Sequence, residues 1–568
     1  MKKLSIVLLT TLSTISLIMA SNASNFTLTG DSGNGITMEF QNSYEISQEN
    51  LGHKIEAENS GKSGLAGVPD LPLFTTFFKM EPGIAYEVSY EVLQSSVIPG
   101  IELLESKGLL EDNDEGLEVI SQVYNSHLVY PIQNIQLSEP MVMRDMELAM
   151  IEFIPFRYNP NTDELTVYEY VEISISENGV RDTGVVRDLP PSQVFESLYE
   201  SMVINYSRED RVEEYQQPSI LYICGGNSLS HPLFQQLLEW RRQSGYIVYT
   251  ADIDETGSSN SQIKNYITDA YESLDPAPEY VALVGDTDQS YAIPTFYENW
   301  SGYNGEGDMP YSQLDGNDLL PEVLVGRLSV DNSTQLSVVV AKTLGYEKAT
   351  YIDETGSDWY VSAALVGDPS SSGLSTINTN QYIENMLDSW GFEDIMTNYG
   401  GSNYNNWMNN ALGAGIGYFN YRGYIGVSGF NGGDGANNGW MTPFVTFLTC
   451  STGSFGSSWG ESIIENMFRS GTVSNPGGGV ACIGTATSGT HTAFNNIVEM
   501  GIYEGIFPKE LETGGAALGM GKLALLLAYP TDPSNKTSIF SHWNNLMGDP
   551  ALQLWTLRPA EFIVVHFE

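Results

Sequence analysis

Cys450 closes the apolar run FVTFLTC (Phe444–Cys450) and is followed by Ser451-Thr452-Gly453-Ser454. A short unbroken apolar segment of this kind reads as a strand buried on both faces. The chain therefore delivers this thiol at a strand end, into a turn of small residues. There it is expected to meet solvent, beside backbone N–H groups that lower its pKa or hold an oxyanion. The competing expectation is the usual fate of an unpaired cysteine, a small apolar side chain buried at a strand terminus. The chain has three cysteines, Cys224, Cys450 and Cys482, so it is no disulfide scaffold and at least one thiol is unpaired within it.

A thiol nucleophile needs a base that titrates near working pH. The chain has six histidines in all. The neighbouring run IGYFNYRG (Ile416–Gly423) leads into Gly423-Tyr424-Ile425-Gly426, so the loop that ought to carry an imidazole carries the phenol of Tyr424. A phenol with a pKa of about 10 is almost wholly protonated at neutral pH and makes a poor base. His491 follows the run GVACIGTA (Gly479–Ala486) in TSGTHTAF. It is either a substitute base or an exposed loop histidine, and near-attack geometry tolerates little misplacement. Asp368 ends YVSAALVGD ahead of Pro369, where an aspartate serves an orienting role or simply caps a turn. His542 reads as a packing or surface residue, and His231 as the neighbour of a helix cap. No HExxH, paired histidine or CxxC spacing points to zinc, and neither a P-loop nor a dinucleotide fingerprint is present.

The elements that must position these residues change character along the chain. At 568 residues it is too long for one core. From Pro218 strands and helices alternate. SILYI is followed by a helix carrying Leu233, Leu237 and Trp240 and stopped by Gly245. YIVYTA is followed by a second helix with Ile263, Tyr266, Ile267, Ala270 and Leu274, and then comes YVALVGD. This predicts a doubly wound, mainly parallel α/β domain, in one sheet or two side by side. Chemistry in such sheets lies beyond the carboxyl ends of the strands, which is where Asp286, Asp368, Gly423–Tyr424, Cys450 and Thr485–His491 all fall. Residues 24–206 instead alternate with period 2, as in AYEVSYEV (Ala85–Val92) and LTVYEYVEISI (Leu165–Ile175), and predict a β-sandwich. SREDRVEEYQQ (207–217) reads as a linker, with Arg208 and Arg211 offered to a trypsin-like cut. The start, MKKLSIVLLTTLSTISLIMASNAS, has the form of a secretory signal peptide, residues 1–23, and no later run is long enough to span a bilayer. The formal charge of −47, from 71 acidic against 24 basic residues, argues against nucleic acid and anionic membrane surfaces as partners.

Several segments, in order, resemble the gingipain family of secreted cysteine peptidases. Within 218–556 they are EYVALVGD, LDGNDLLPEVLVGRLSV (Leu314–Val330) followed by Tyr346-Glu347-Lys348, YFNYRG, PFVTFLTCSTGSF and MGDPALQLWT (Met547–Thr556). GVPDLPLF and FIPFRYNPNTDELTVYEYVEISI, within 24–206, resemble the family's propeptide. The resemblance implies a caspase-like peptidase domain, a prodomain acting as intramolecular inhibitor or chaperone, and protein or peptide substrates. It also implies secretion or display at the cell surface, and chemistry without a cofactor. Structural calcium would sit in acidic loops such as DGND (Asp315–Asp318) and DIDETG (Asp252–Gly257), although neither has EF-hand spacing. Carried over by position, Cys450 falls on the nucleophile, Gly423 on the glycine before the dyad histidine, and Asp368 near the acid that orients it. Tyr424 stands where the family has that histidine, and Ile425 where it has a glycine. Two outcomes stay open: a peptidase with an atypical base, or a pseudopeptidase that keeps the groove and binds peptides or a partner. Pro369–Tyr382 holds no acidic residue, so specificity for arginine or lysine is not extended to this chain. Residues 557–568, ending EFIVVHFE, read as the start of a further β module.

Overall fold

The computed structural model describes residues 25–108, 123–124, 128–182, 187–208, 215–316, 318–424, 429–432, 436–456, 460–489, 492–532 and 535–559. The expected leader, Ile425, His491, most of the linker and the end of the terminal segment lie outside the described residues. The chain forms two compact units.

The first unit comprises the described parts of Met1–Pro140, Leu148–Thr183 and Met202–Tyr206. Its longest strands, Ile84–Pro99 and Glu164–Val180, pair antiparallel, and Glu164–Val180 also pairs with Gly35–Gln41 in a five-stranded sheet. A four-stranded sheet contains Phe74–Met80 and Met146–Phe153. Period-2 alternation gives each sheet one apolar face, and the two faces share a core. Phe40 of the first sheet meets Phe74 and Phe153 edge-on, with centroids 4.9 and 5.0 Å apart.

The second unit comprises Met141–Glu147, Gly184–Ser201 and the described part of Ser207–Glu568. Its centre is one continuous ten-stranded sheet, not two side by side. In spatial order the strands are Ile247–Asp252, Ser219–Cys224, Tyr280–Val284, Leu324–Leu328, Asn544–Met547, Ala481–Thr485, Phe444–Phe447, Tyr418–Arg422, Ser362–Gly367 and Asp394–Tyr399. Asn544–Met547 is antiparallel to Ala481–Thr485, so the sheet is mixed. The flanking helices start where side chains can cap them. Ser259 and Gln262 form a reciprocal capping box on Asn260–Ser273, and Pro232 opens Pro232–Gln243.

The sequence set a boundary at residue 206, yet two earlier segments pack within the α/β unit. Arg144 is fully buried and donates to the carbonyls of Pro278, Ala277 and Glu322 and to Gln216 Oε1 at 2.9–3.2 Å. Its guanidinium lies over the rings of Phe195 and Tyr271. Arg187 pairs with Asp315 at 2.7 Å and Glu272 at 2.8 Å. The helix Gln193–Met202, which the sequence reading passed over, brings Tyr199 Oη to Met143 O at 2.7 Å.

Candidate active site

The strand Tyr418–Arg422 lies between Ser362–Gly367 and Phe444–Phe447 and runs parallel to both. Asp368, Gly423 and Cys450 therefore leave three adjacent strands at the same edge. Asp368 N donates to Arg422 O at 2.8 Å, and Thr449 Oγ1 to Gly423 O at 2.7 Å. On the other side of the nucleophile strand, Ser451 N donates to Thr487 O at 2.7 Å, tying in the segment that leads to His491. Asp286, which the sequence grouped with these, instead accepts from Arg469 at 2.8 Å.

Cys450 is buried, 6 % exposed, rather than lying open on a turn. Ser451 adopts φ +57°, a left-handed conformation unusual for a residue with a side chain. The amides of the turn are committed: Ser451 N to Thr487 O, Thr452 N to Thr449 O at 3.3 Å, and Gly453 N to Thr485 O at 3.0 Å. A buried turn must satisfy its own donors, which is why these three N–H groups do not form the expected oxyanion cradle.

Gly423 is glycine because the chain passes too close to its neighbours for a side chain. A Cβ there would sit 2.5 Å from Tyr421 Oη and 2.9 Å from Asp368 Cβ. Asp368 combines the two roles weighed for it. Its Oδ1 accepts Ser370 N at 3.0 Å in a turn at Pro369, and its Oδ2 accepts the Tyr421 hydroxyl at 3.3 Å. Burial, and then Asp368, push the Tyr404 phenol up to about 12. The acid thus faces phenols on this side of the sheet. Tyr424 is 45 % exposed.

Among the described residues no histidine is bonded to the Cys450 turn. His231 precedes the helix Pro232–Gln243 and meets Ser337 Oγ at 3.1 Å. His542 is buried, pairs through Nδ1 with Glu298 at 3.0 Å and packs edge-on against Trp300.

Two features escaped the sequence reading. The first is a β-hairpin, Phe296–Trp300 with Tyr303–Gly307, that reaches the same edge. It bridges Gly305 to Thr487, and Tyr297 Oη donates to Gly456 O at 3.0 Å. Glu306 accepts Gly456 N at 3.0 Å, and burial pushes its carboxyl up to about 7. Its signal was the Ser301-Gly302 pair between aromatic-rich runs; both residues have positive φ, as a two-residue hairpin turn requires. The second is Arg422, a charged residue ending a strand that is wholly buried.

The acidic loops proposed for calcium are otherwise engaged. Asp252 caps the helix Ile253–Thr256, and Asp315 is held by Arg187. Asp318 accepts Val142 N and Leu320 N, and burial pushes it up to about 6. The carboxylates that do gather, within 4.8 Å, are Asp286, Asp288 and Asp331, with Arg469 already donating to the first and last.

Residues 213–555 match the family model described as peptidase family C25, and residues 37–211 match Propeptide_C25. Gingipain R2 of Porphyromonas gingivalis is 26% identical over 525 residues, covering 88% of this chain and 69% of that protein. For Gingipain R1 of the same organism the identity is 25% over 523 residues, covering 88% of this chain and 51% of that protein. The crystal structure of the Arg specific cysteine proteinase gingipain R shares the fold. Its TM-score is 0.53 at 23% identity, over 61% of this chain and 80% of that one. A complex of Porphyromonas gingivalis RgpB pro- and mature domains matches with a TM-score of 0.52 at 21% identity, over 60% of this chain and 81% of that one.

Proposed function

Because the chain belongs to peptidase family C25, we propose that it is a gingipain-type homologue in which Cys450 accepts acyl groups while peptide-bond turnover is crippled. The observation that carries this reading is Tyr424: a solvent-exposed phenol stands at the position of the dyad histidine. An amide leaving group must be protonated as it departs, and a phenol with a pKa of about 10 gives up and regains its proton on the wrong pH scale. The reading includes a caspase-like, doubly wound peptidase domain, peptide or protein ligands, a prodomain that restrains or chaperones it, and export by the leader. A second reading is favoured by one contact. Ser451 N bonds Thr487 O, so the segment leading to His491 is fastened to the nucleophile turn and a relocated base would come from there.

The test uses the full chain, before and after cleavage of the 207–217 linker, in calcium-containing and chelated buffer. Activated esters and a fluorogenic peptide-amide library are offered to the parent and to Cys450→Ala, His491→Ala and Tyr424→His, the last alone and with Ile425→Gly. The expected result is ester-dependent acylation of Cys450 without amide turnover, and a gain in amide cleavage of about 10²- to 10⁴-fold when histidine is restored. Ordinary amide cleavage by the parent, abolished by both Cys450→Ala and His491→Ala, overturns this in favour of a relocated base.

A further inference from the structure

Arg422 ends its strand with 1 % of its surface exposed, and its side chain leaves the sheet toward the helix Thr492–Ile506. Nε donates to Asn496 Oδ1 at 2.8 Å and Nη2 to Thr492 O at 3.1 Å. Glu499 Oε2, also buried, lies 3.1 Å from Nε. The single Nε hydrogen is spent on Asn496, so the approach of Glu499 is a charge contact without a hydrogen bond. Nη1 is buried and has no hydrogen-bond partner among the described residues. A guanidinium donor left dry and unpaired is costly, so a nearby anion at this point would be stabilised. The group at hand is Cys450, at the end of the adjacent strand. Its thiolate is one of three negative groups, after Glu499 and with Tyr421, whose charge acts on this guanidinium.

We propose that Arg422 is the cation that holds Cys450 as a thiolate, Nη1 being the donor left over for the sulfur and Glu499 setting how much of the charge reaches it. The inference rests on Cys450 being the reactive thiol, as in the reading above. Burial lowers the Arg422 pKa, but a guanidinium starts high enough to stay charged. Burial also holds the Glu499 carboxyl well above the usual carboxylate range in spite of Arg422, so the pair is not a fully cancelled ion pair. The other titratable groups at this point are Tyr421 on the same strand and Asp368 beyond the neighbouring one, and Asp368 faces Tyr421 and Tyr404.

The experiment follows alkylation of Cys450 by iodoacetamide in the full chain from pH 5 to 10, read by mass spectrometry of the Cys450 peptide. Cys224 and Cys482 are buried, with thiols pushed up to about 12, and their lack of reaction reports an intact fold. Arg422→Gln is expected to raise the apparent thiol pKa by at least one unit, slowing alkylation near neutral pH about tenfold, whereas Arg422→Lys retains most of the effect. Glu499→Gln removes the competing anion and should leave that pKa unchanged or lower. An unshifted pKa in folded Arg422→Gln overturns the proposal, as does a raised one in Glu499→Gln. Should Arg422→Gln unmask Cys224 and Cys482, Glu499→Gln decides. No peptide cleavage enters this readout. A thiol pKa that follows Arg422 while Cys450 is never acylated would sink the functional reading and leave this one standing.

Discussion

Truncating Arg144 to alanine should cost the α/β unit about 4 kcal/mol, although the residue precedes the expected linker by more than sixty positions. Its guanidinium makes four hydrogen bonds, three of them to the carbonyls of Ala277, Pro278 and Glu322, and none of these groups is shared with solvent. A hydrogen bond to a charged group contributes about 1.5–3 kcal/mol, and such bonds are not additive within one side chain. Removing one partner of a buried charged network typically costs about 3–5 kcal/mol. The loss of stacking over Phe195 and Tyr271 falls within that range. Against a total stability of about 5–15 kcal/mol, this is a large share. The assay is urea unfolding of the full chain followed by tryptophan fluorescence, with Arg144→Lys as the variant that keeps charge but loses the planar fork. The same reasoning predicts that a chain starting at Pro218 unfolds at markedly lower urea than the full chain cut within 207–217, since only the cut form retains Arg144, Arg187 and Tyr199. A shortened chain with an undiminished midpoint, or an Arg144→Ala midpoint matching the parent, would refute the claim that these early segments are part of the catalytic unit.

Gly423→Ala places a methyl carbon 2.5 Å from Tyr421 Oη and 2.9 Å from Asp368 Cβ, so it should cost about 1–3 kcal/mol; an unchanged melting temperature would show that the loop does not need glycine. Glu306 supplies a pH signature. Burial raises its carboxyl from 4.5 to about 7, so the folded protein holds this proton more tightly than the unfolded one, and stability is lost as pH rises from about 4.5 to 7. At about 1.4 kcal/mol per unit this amounts to about 3 kcal/mol, and Glu306→Gln should remove that share of the decline in urea midpoints measured at pH 5 and pH 8. A parallel decline in both proteins would count against it.

The strands that carry the site were legible because they are continuous apolar runs, and Cys450, Gly423 and Asp368 do leave neighbouring strands of one sheet. Sequence could not show that the turn after Cys450 is closed, because its amides are satisfied by Thr485 and Thr487, residues supplied by a later strand. The single mixed sheet was hidden for a similar reason: Asn544–Met547 joins the two halves from the far end of the chain. Arg144 and Arg187 look like ordinary surface charges in a β-rich region, and only the docking of their segments against 277–279, 315 and 322 buries them. Asp286 was grouped with the site by pattern alone, and Arg469, in a helix that follows the nucleophile, draws it elsewhere.

A histidine in a thiol dyad does two separable things: its positive charge keeps the sulfur ionised, and its proton is handed to the leaving amine. Arg422 is suited to the first and unable to do the second, because a guanidinium does not release a proton at any pH where the fold survives. An arginine-held thiolate would therefore still attack an activated carbonyl whose leaving group departs as an anion. It would stall on a peptide bond, where the tetrahedral intermediate finds no acid to protonate nitrogen and reverts by expelling sulfur. Substituting the histidine while placing an arginine at the end of the same strand is then coherent chemistry. It separates nucleophilicity from turnover and makes the loop at Tyr424, not the thiol, the point at which peptidase activity would be regained.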